Sequence, residues 1–175
     1  KDAKEILYSI PKDKYTKVFE DGAVVVLENK SVLPRVKLYS DYVVEKEAIR
    51  AQRITRDNLD FHNSVVLNKK PDNLLASSPL DSAEIVSYSE NQVLIEAKTN
   101  SPQVLVLTDT FYPGWQVQVN GQSQDLILAF GIYRAVELPQ GQHEVKFFYQ
   151  PDSFRLGILT SFTALATIVI LTLTS

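Results

Sequence analysis

The sequence predicts a mainly β protein: a small α+β N-terminal part, then an antiparallel β-sandwich of Ig-like or jelly-roll-like kind, then one transmembrane helix. Three observations carry this. From Ala83 onward short strand-like runs alternate with turn signals at the close spacing of a sandwich. Before that, only Val44 to Asn58 switches to a helical period. The chain then closes on twenty residues, Leu156 to Ser175, without a single charge.

The opening to about Pro11 is polar and reads as a connector. Tyr15 to Asn29 reads as a hairpin, with Asp21-Gly22 as its turn and Ala23 to Leu27 as a β-branched strand. Pro34 to Tyr42 reads as a further strand, its proline placed where a strand tolerates one. In the helix that follows, Val44, Ala48, Ala51 and Thr55 share one side while Arg50, Arg53, Arg56 and Asp57 lie elsewhere. Val65 to Leu67 is a short strand. Asn68 to Pro79, rich in Lys, Pro, Asn and Ser, marks a joint. The expected division is 1–78, 79–153 and 154–175.

In the second part the expected strands are Ala83 to Ser89, Gln92 to Thr99, Val104 to Thr108, Trp115 to Asn120, Leu126 to Ala129, Tyr133 to Leu138 and His143 to Tyr149. Glu90-Asn91, Asn120-Gly121 and Gln140-Gly141 are the turn signals. Alternation puts Trp115, Val117 and Val119 on one face of their strand, and Val145, Phe147 and Tyr149 on one face of theirs. These two sets should meet in a core.

A helix over the final twenty residues is about 30 Å long, the thickness of bilayer hydrocarbon. Its polar members are Thr and Ser, whose hydroxyls can bond back one turn, so no charged face appears. The competing reading is a C-terminal helix buried in a soluble core. No Lys or Arg follows the apolar run, so charge bias does not orient it.

Composition excludes several classes. Apolar residues are 45% and charged residues 22% of 175, as in ordinary folded domains. Eighteen basic against 21 acidic residues, without a Lys/Arg cluster, argue against nucleic acid. The absence of cysteine removes disulfides, thiolate nucleophiles and Cys-type zinc sites. There is also no Met, so the chain reads as a fragment or a processed product.

No catalytic, cofactor or metal residues are nominated. His62 and His143 lack metal-ligand spacing, and Asp57-Asn58-Leu59-Asp60 lacks the Gly and closing Glu of a calcium loop. Asp109, Glu137 and Glu144 lie in or beside strands, but nothing in the sequence pairs them as a glycosidase requires. Asp109, ahead of Thr-Phe-Tyr-Pro-Gly, reads as a loop-shaping carboxylate. Ser123 lacks the second glycine of a nucleophile elbow. Trp115, with Phe111, Tyr112 and Tyr133 nearby, could stack on sugar if exposed, yet its shared face with Val117 and Val119 favours the core.

The segment VLVLTDTFYPGWQVQVNG from Val104 to Gly121 closely resembles the C-terminal region of YfhO-like bacterial membrane proteins. So do the stretches Ala129 to Val136 and Leu138 to His143. Tyr15 to Asn29 with Leu33-Pro34-Arg35, and Phe148 to Gly157 leading into the last helix, are similar too. The most specific element is Pro113-Gly114-Trp115 followed by alternating Val and the Asn120-Gly121 turn. Physically these are fold-making residues: a sharp turn, a core anchor and a two-residue hairpin. The resemblance implies a polytopic enzyme like the glycosyltransferases that take sugar from a polyprenyl-phosphate carrier to build envelope polymers. This chain would then be its extracytoplasmic C-terminal domain and final helix in the cell membrane. The implied partners are the membrane, the rest of the parent chain, and the polyprenyl-phosphate sugar or envelope polymer. The catalytic carboxylate of that class lies in an early loop, so no catalytic residue carries over. The alternative is a membrane-tethered β-sandwich that binds or adheres to envelope glycan.

Overall fold

The computed structural model describes residues 14–174 apart from 23, 31, 58 and 74. The connector expected up to Pro11 lies outside the described residues, as do Ala23 and Asn58 at the ends of an expected strand and helix. The chain divides into two units, 1–34 and 35–175.

The first unit is a hairpin of β1 (Tyr15–Asp21) and β2 (Val24–Asn29), paired antiparallel from Tyr15↔Asn29 to Asp21↔Val24. Gly22 supplies a φ of +48° at the turn, the conformation that Asp-Gly signals in sequence. A bulge between Lys17 and Phe19 interrupts the ladder.

The second unit holds eleven strands and two helices among its described residues. A five-stranded sheet has the order β10 (Gln122–Gln124), β9 (Trp115–Val119), β13 (Gly141–Tyr149), β7 (Gln92–Thr99), β6 (Ser82–Tyr88). A six-stranded sheet has the order β3 (Val36–Tyr39), β8 (Gln103–Thr110), β12 (Tyr133–Leu138), β11 (Ile127–Ala129), β5 (Ser64–Leu67), β4 (Asp41–Val44). Neighbours are antiparallel except β4 and β5, which run parallel because α1 (Ala48–Asp57) carries the crossover between them. Strands from both sides of the 68–79 loop share the six-stranded sheet.

The two sheets enclose one core, in which Leu105, Leu107, Val136 and Leu138 meet Val93, Ile95, Val117, Val145 and Phe147. The face-sharing sets anticipated on β9 and β13 meet here, with Trp115 half-buried at the margin. A second core lies on the opposite face of the six-stranded sheet, where Val104, Val106 and Ala135 pack with Val65, Val66, Leu67, Phe130 and Ala51 of α1. β8 is therefore covered on both faces. That explains its unbroken VLVL, since a strand with no solvent face has no use for alternation.

The stretch expected as one strand from Pro34 to Tyr42 is two, and they occupy opposite outer positions of their sheet. Six strands side by side span about 24 Å, whereas Tyr39 and Asp41 are separated by at most about 7 Å of chain. The sheet must roll until its edges meet at Ser40. The helix is also shorter at its start than the sequence suggests: Val44 pairs with Leu67, and Glu45 N–H donates to the Leu67 carbonyl at 2.9 Å. Sheet pairing takes the residues that the helical period had claimed.

α2 (Asp152–Thr174) follows β13 after two residues, and none of its apolar window is buried. Its hydroxyls bond back as the sequence suggests: Thr160 to the Leu156 carbonyl at 3.0 Å, Ser161 to Gly157 at 2.8 Å, Thr167 to Thr163 at 2.8 Å. At 23 residues the helix is about 34 Å long, and Leu, Ile, Val and Phe side chains stand exposed all along it. A soluble core helix would hide them.

Candidate functional site: a polar cleft far from the membrane helix

The strand register defines two ends. Tyr149↔Trp115, Phe148↔Gln92 and Tyr133↔Thr110 lie near the start of α2, while Val145↔Val119, Gly141↔Thr99 and Leu138↔Gln103 lie toward the opposite end. Each end gathers polar groups of a different kind.

At the far end a cleft of about 450 Å³ opens between the β9–β10 hairpin, β12 and the 69–73 loop. The hairpin is built by Asn120 (φ +51°) and Gly121 (φ +77°), the two positive angles a two-residue connection demands. Asn120 also ties the hairpin down, since its side-chain oxygen accepts from the Glu144 N–H at 2.8 Å. Gln122 and Gln124 of β10 and Asn73 are among the residues that line the cleft. Glu137 accepts the backbone N–H groups of Asp72 (2.7 Å) and Asn73 (2.8 Å) and the Asn73 amide (2.6 Å), which holds the loop in place. Asp125 pairs with Lys69 at 2.9 Å, and this hydrogen bond and charge hold its carboxyl below the usual range. His143, buried, has one ring nitrogen 2.8 Å from the Pro139 carbonyl and the other 3.4 Å from the Asn120 amide.

At the near end, Arg134 is buried and forms an ion pair with Asp109 at 2.8 Å. Asp109 also accepts from Arg35 (3.0 and 3.1 Å) and from the Tyr88 hydroxyl (3.0 Å). Burial pulls the Arg134 guanidinium down and the Asp109 charge opposes it, while the hydrogen bond to Asp109 raises Arg35. The Arg134 guanidinium lies 3.7 Å from the Trp115 ring centroid, and the Tyr149 ring lies 5.5 Å from that of Trp115. Arg134 Nη1 has no hydrogen-bond partner, and the Trp115 π face is what it is offered instead. Asp109 is thus not a loop carboxylate accepting backbone donors. It sits within β8 and pairs with two guanidinium groups, whose combined charge it offsets by half. Trp115 is covered by Arg134, so the ring is no open sugar platform.

Gly114 has φ +108°, and a Cβ there would lie 2.8 Å from the Tyr149 ring and 3.0 Å from Pro151 Cβ. Pro113 and Gly114 therefore press the chain against the segment that leads into α2. Asp109, Glu137 and Glu144, the carboxylates considered as a glycosidase pair, do not converge: the first is in the ion cluster, the second staples the 69–73 loop, and the third is exposed on β13. Among the described residues no three His, Cys, Asp or Glu side chains form a metal-binding group. His62 lies beside Phe61, at 4.7 Å between ring centroids.

Sequence reasoning missed the cleft, because β10 is a three-residue polar strand without hydrophobic periodicity. The ion cluster had a signal. Period two places Arg134 on the face of Val136 and Leu138, and a cation on a core face requires a partner.

Two packed sheets joined by two residues to an exposed apolar helix define a membrane protein whose folded body rests on one span. Residues 75–161, from the loop before β6 into α2, match the family described as bacterial membrane protein YfhO. The match covers 87 of the 175 residues and supports the resemblance to YfhO-like membrane proteins through that region. No curated protein and no solved structure matches it.

Proposed function

We propose that the chain is the extracytoplasmic C-terminal accessory domain, with the final span, of a polytopic membrane protein resembling glycosyltransferases that use lipid-linked sugar. Its role is to hold envelope polymer near the membrane, not to cleave or transfer. The observation that carries this reading is the cleft at the end remote from α2, where amides of Asn73, Gln122 and Gln124 offer the paired donors and acceptors that sugar hydroxyls require. Two of its acids, Asp125 and Glu137, are already engaged with Lys69 and with the 69–73 backbone, which favours binding over acid–base chemistry.

The test uses the chain in nanodiscs, titrated with envelope polymer fragments. Saturable binding that weakens at least tenfold in Gln122→Ala/Gln124→Ala, a loss of about 1.4 kcal/mol, supports the proposal. Unchanged binding in the variant would remove the cleft from it. Side is tested separately. With no native cysteine, Ser123→Cys in intact cells should react with a membrane-impermeant maleimide, and labelling only after lysis refutes the extracytoplasmic placement. The same cleft also serves the simpler reading of a tethered glycan-binding module, which a polymer-binding chain fully active without any partner helices would favour.

A further inference from the structure

We infer that the end of the sandwich nearest α2 docks onto the headgroup layer of the membrane that α2 crosses, through the 111–114 loop and the 130–132 turn. The body is then held in a fixed orientation on the lipid and does not swing on its tether.

Phe111 is 37% exposed, Tyr112 64% and Ile132 37%, so apolar surface is left uncovered where the protein could have used polar turn residues. These residues are not loose. Phe111 N–H donates to the Ile132 carbonyl at 2.7 Å, Trp115 N–H to Tyr112 at 3.2 Å, and Gln150 N–H to Gly114 at 2.8 Å. The last bond, with the close fit of Gly114 against Tyr149 and Pro151, fixes the loop to the residues immediately before α2.

Distance then decides what covers the loop. From Pro151 to Leu156, where the uncharged run begins, five helical residues advance about 7.5 Å. The headgroup layer on each side of a bilayer is about 5–7 Å deep. The end of the sandwich cannot stand clear of it. Aromatic side chains with one apolar body and one polar tip are the residues that favour this layer, and Tyr112 is of that type. Arg35, 56% exposed with its guanidinium 4.3 Å from the Tyr88 ring centroid, places a cation at the same end, suited to lipid phosphate. The occupant is therefore lipid. The inference holds for either face of the membrane, so it does not depend on the extracytoplasmic reading.

Trp115 is the chain's one tryptophan and is bonded to this loop, which makes it a built-in depth probe. The full chain is reconstituted in phosphatidylcholine vesicles whose acyl chains carry bromine either near the glycerol or near the terminal methyl. The expected result is quenching of Trp115 by the shallow bromines above that by the deep ones. This shallow quenching should be lost in Phe111→Ser/Tyr112→Ser while insertion of α2 is unchanged, and retained in Leu80→Ser, an exposed apolar position near the far end. Tyr112→Ser alone, at a position more exposed than Phe111, gives a milder variant whose loss of quenching reads the same way. Absence of shallow quenching in the native chain, or quenching unaffected by the loop variants, overturns the inference.

Discussion

Arg134 is the one buried Lys or Arg among the described residues, and its environment shows how a charge is accommodated inside a β core. The guanidinium gains one carboxylate and one indole face. Such a pair adds little net stability over an apolar filling, because desolvation offsets most of the attraction. Removing one partner is another matter, since the remaining charge stays buried. Asp109→Asn should therefore cost about 3–5 kcal/mol in denaturant unfolding, and Arg134→Met distinctly less, because Asp109 keeps Arg35 and Tyr88. Equal losses in the two variants would count against this account. The sequence shows Arg134 in a strand and on a core face, but not which acid answers it. Asp109 lies 25 positions away and is brought opposite only by the β8–β12 register, which shifts at Tyr133/Arg134.

Elements were legible in proportion to the exclusivity of their environment. β7 and β13, each with one outward face, alternate visibly and appear close to where the sequence puts them. β4 was hidden at the junction of an expected strand ending at Tyr42 and an expected helix starting at Val44, and β10 has no apolar residue at all. The β6–β8 corner shows a further element that only the fold assembles. Asp81 accepts from the Ser78 N–H at 2.6 Å, from the Asn100 backbone at 2.7 Å, from its amide at 2.9 Å, and from the Gln103 amide. Burial pushes its carboxyl up, but these donors outweigh it and hold the group below its ordinary 3.8. A lowered pKa means the folded state favours the ionised form. The contribution is full above about pH 5 and is lost as pH falls through 3.8 toward the folded value. The midpoint of thermal unfolding should thus fall more steeply between about pH 5 and about pH 2 in the native chain than in Asp81→Asn, which carries no titrating group there. Parallel curves would show that other acids set the acid limb.

The molecule as a whole is governed by the contrast between its two cores and its uncovered helix. The layer order was legible in part: two sheets and a span follow from alternation and from the uncharged tail, whereas the rolled six-stranded sheet depends on a single residue, Ser40, between two outer strands. Among the described elements α2 is the one helix long and apolar enough to cross a membrane, so one charge at its centre is a sharp test. Leu165→Lys adds about 2.5–3.5 kcal/mol to the insertion free energy. Carbonate extraction should release much more of the variant than of the native chain, with the sandwich still folded by circular dichroism.

The direct run of β13 into α2 also has a mechanical meaning. β13 is the middle strand of its sheet, laddered on one side to β7 and on the other to β9, and only Gln150 and Pro151 separate it from the helix. Tension applied between the lipid-held helix and anything gripping the body is delivered along the strand axis, so both ladders are loaded in shear and must yield together. A hairpin at the margin would peel open one rung at a time. This attachment turns the least tearable strand of the sheet into the tow line of the domain.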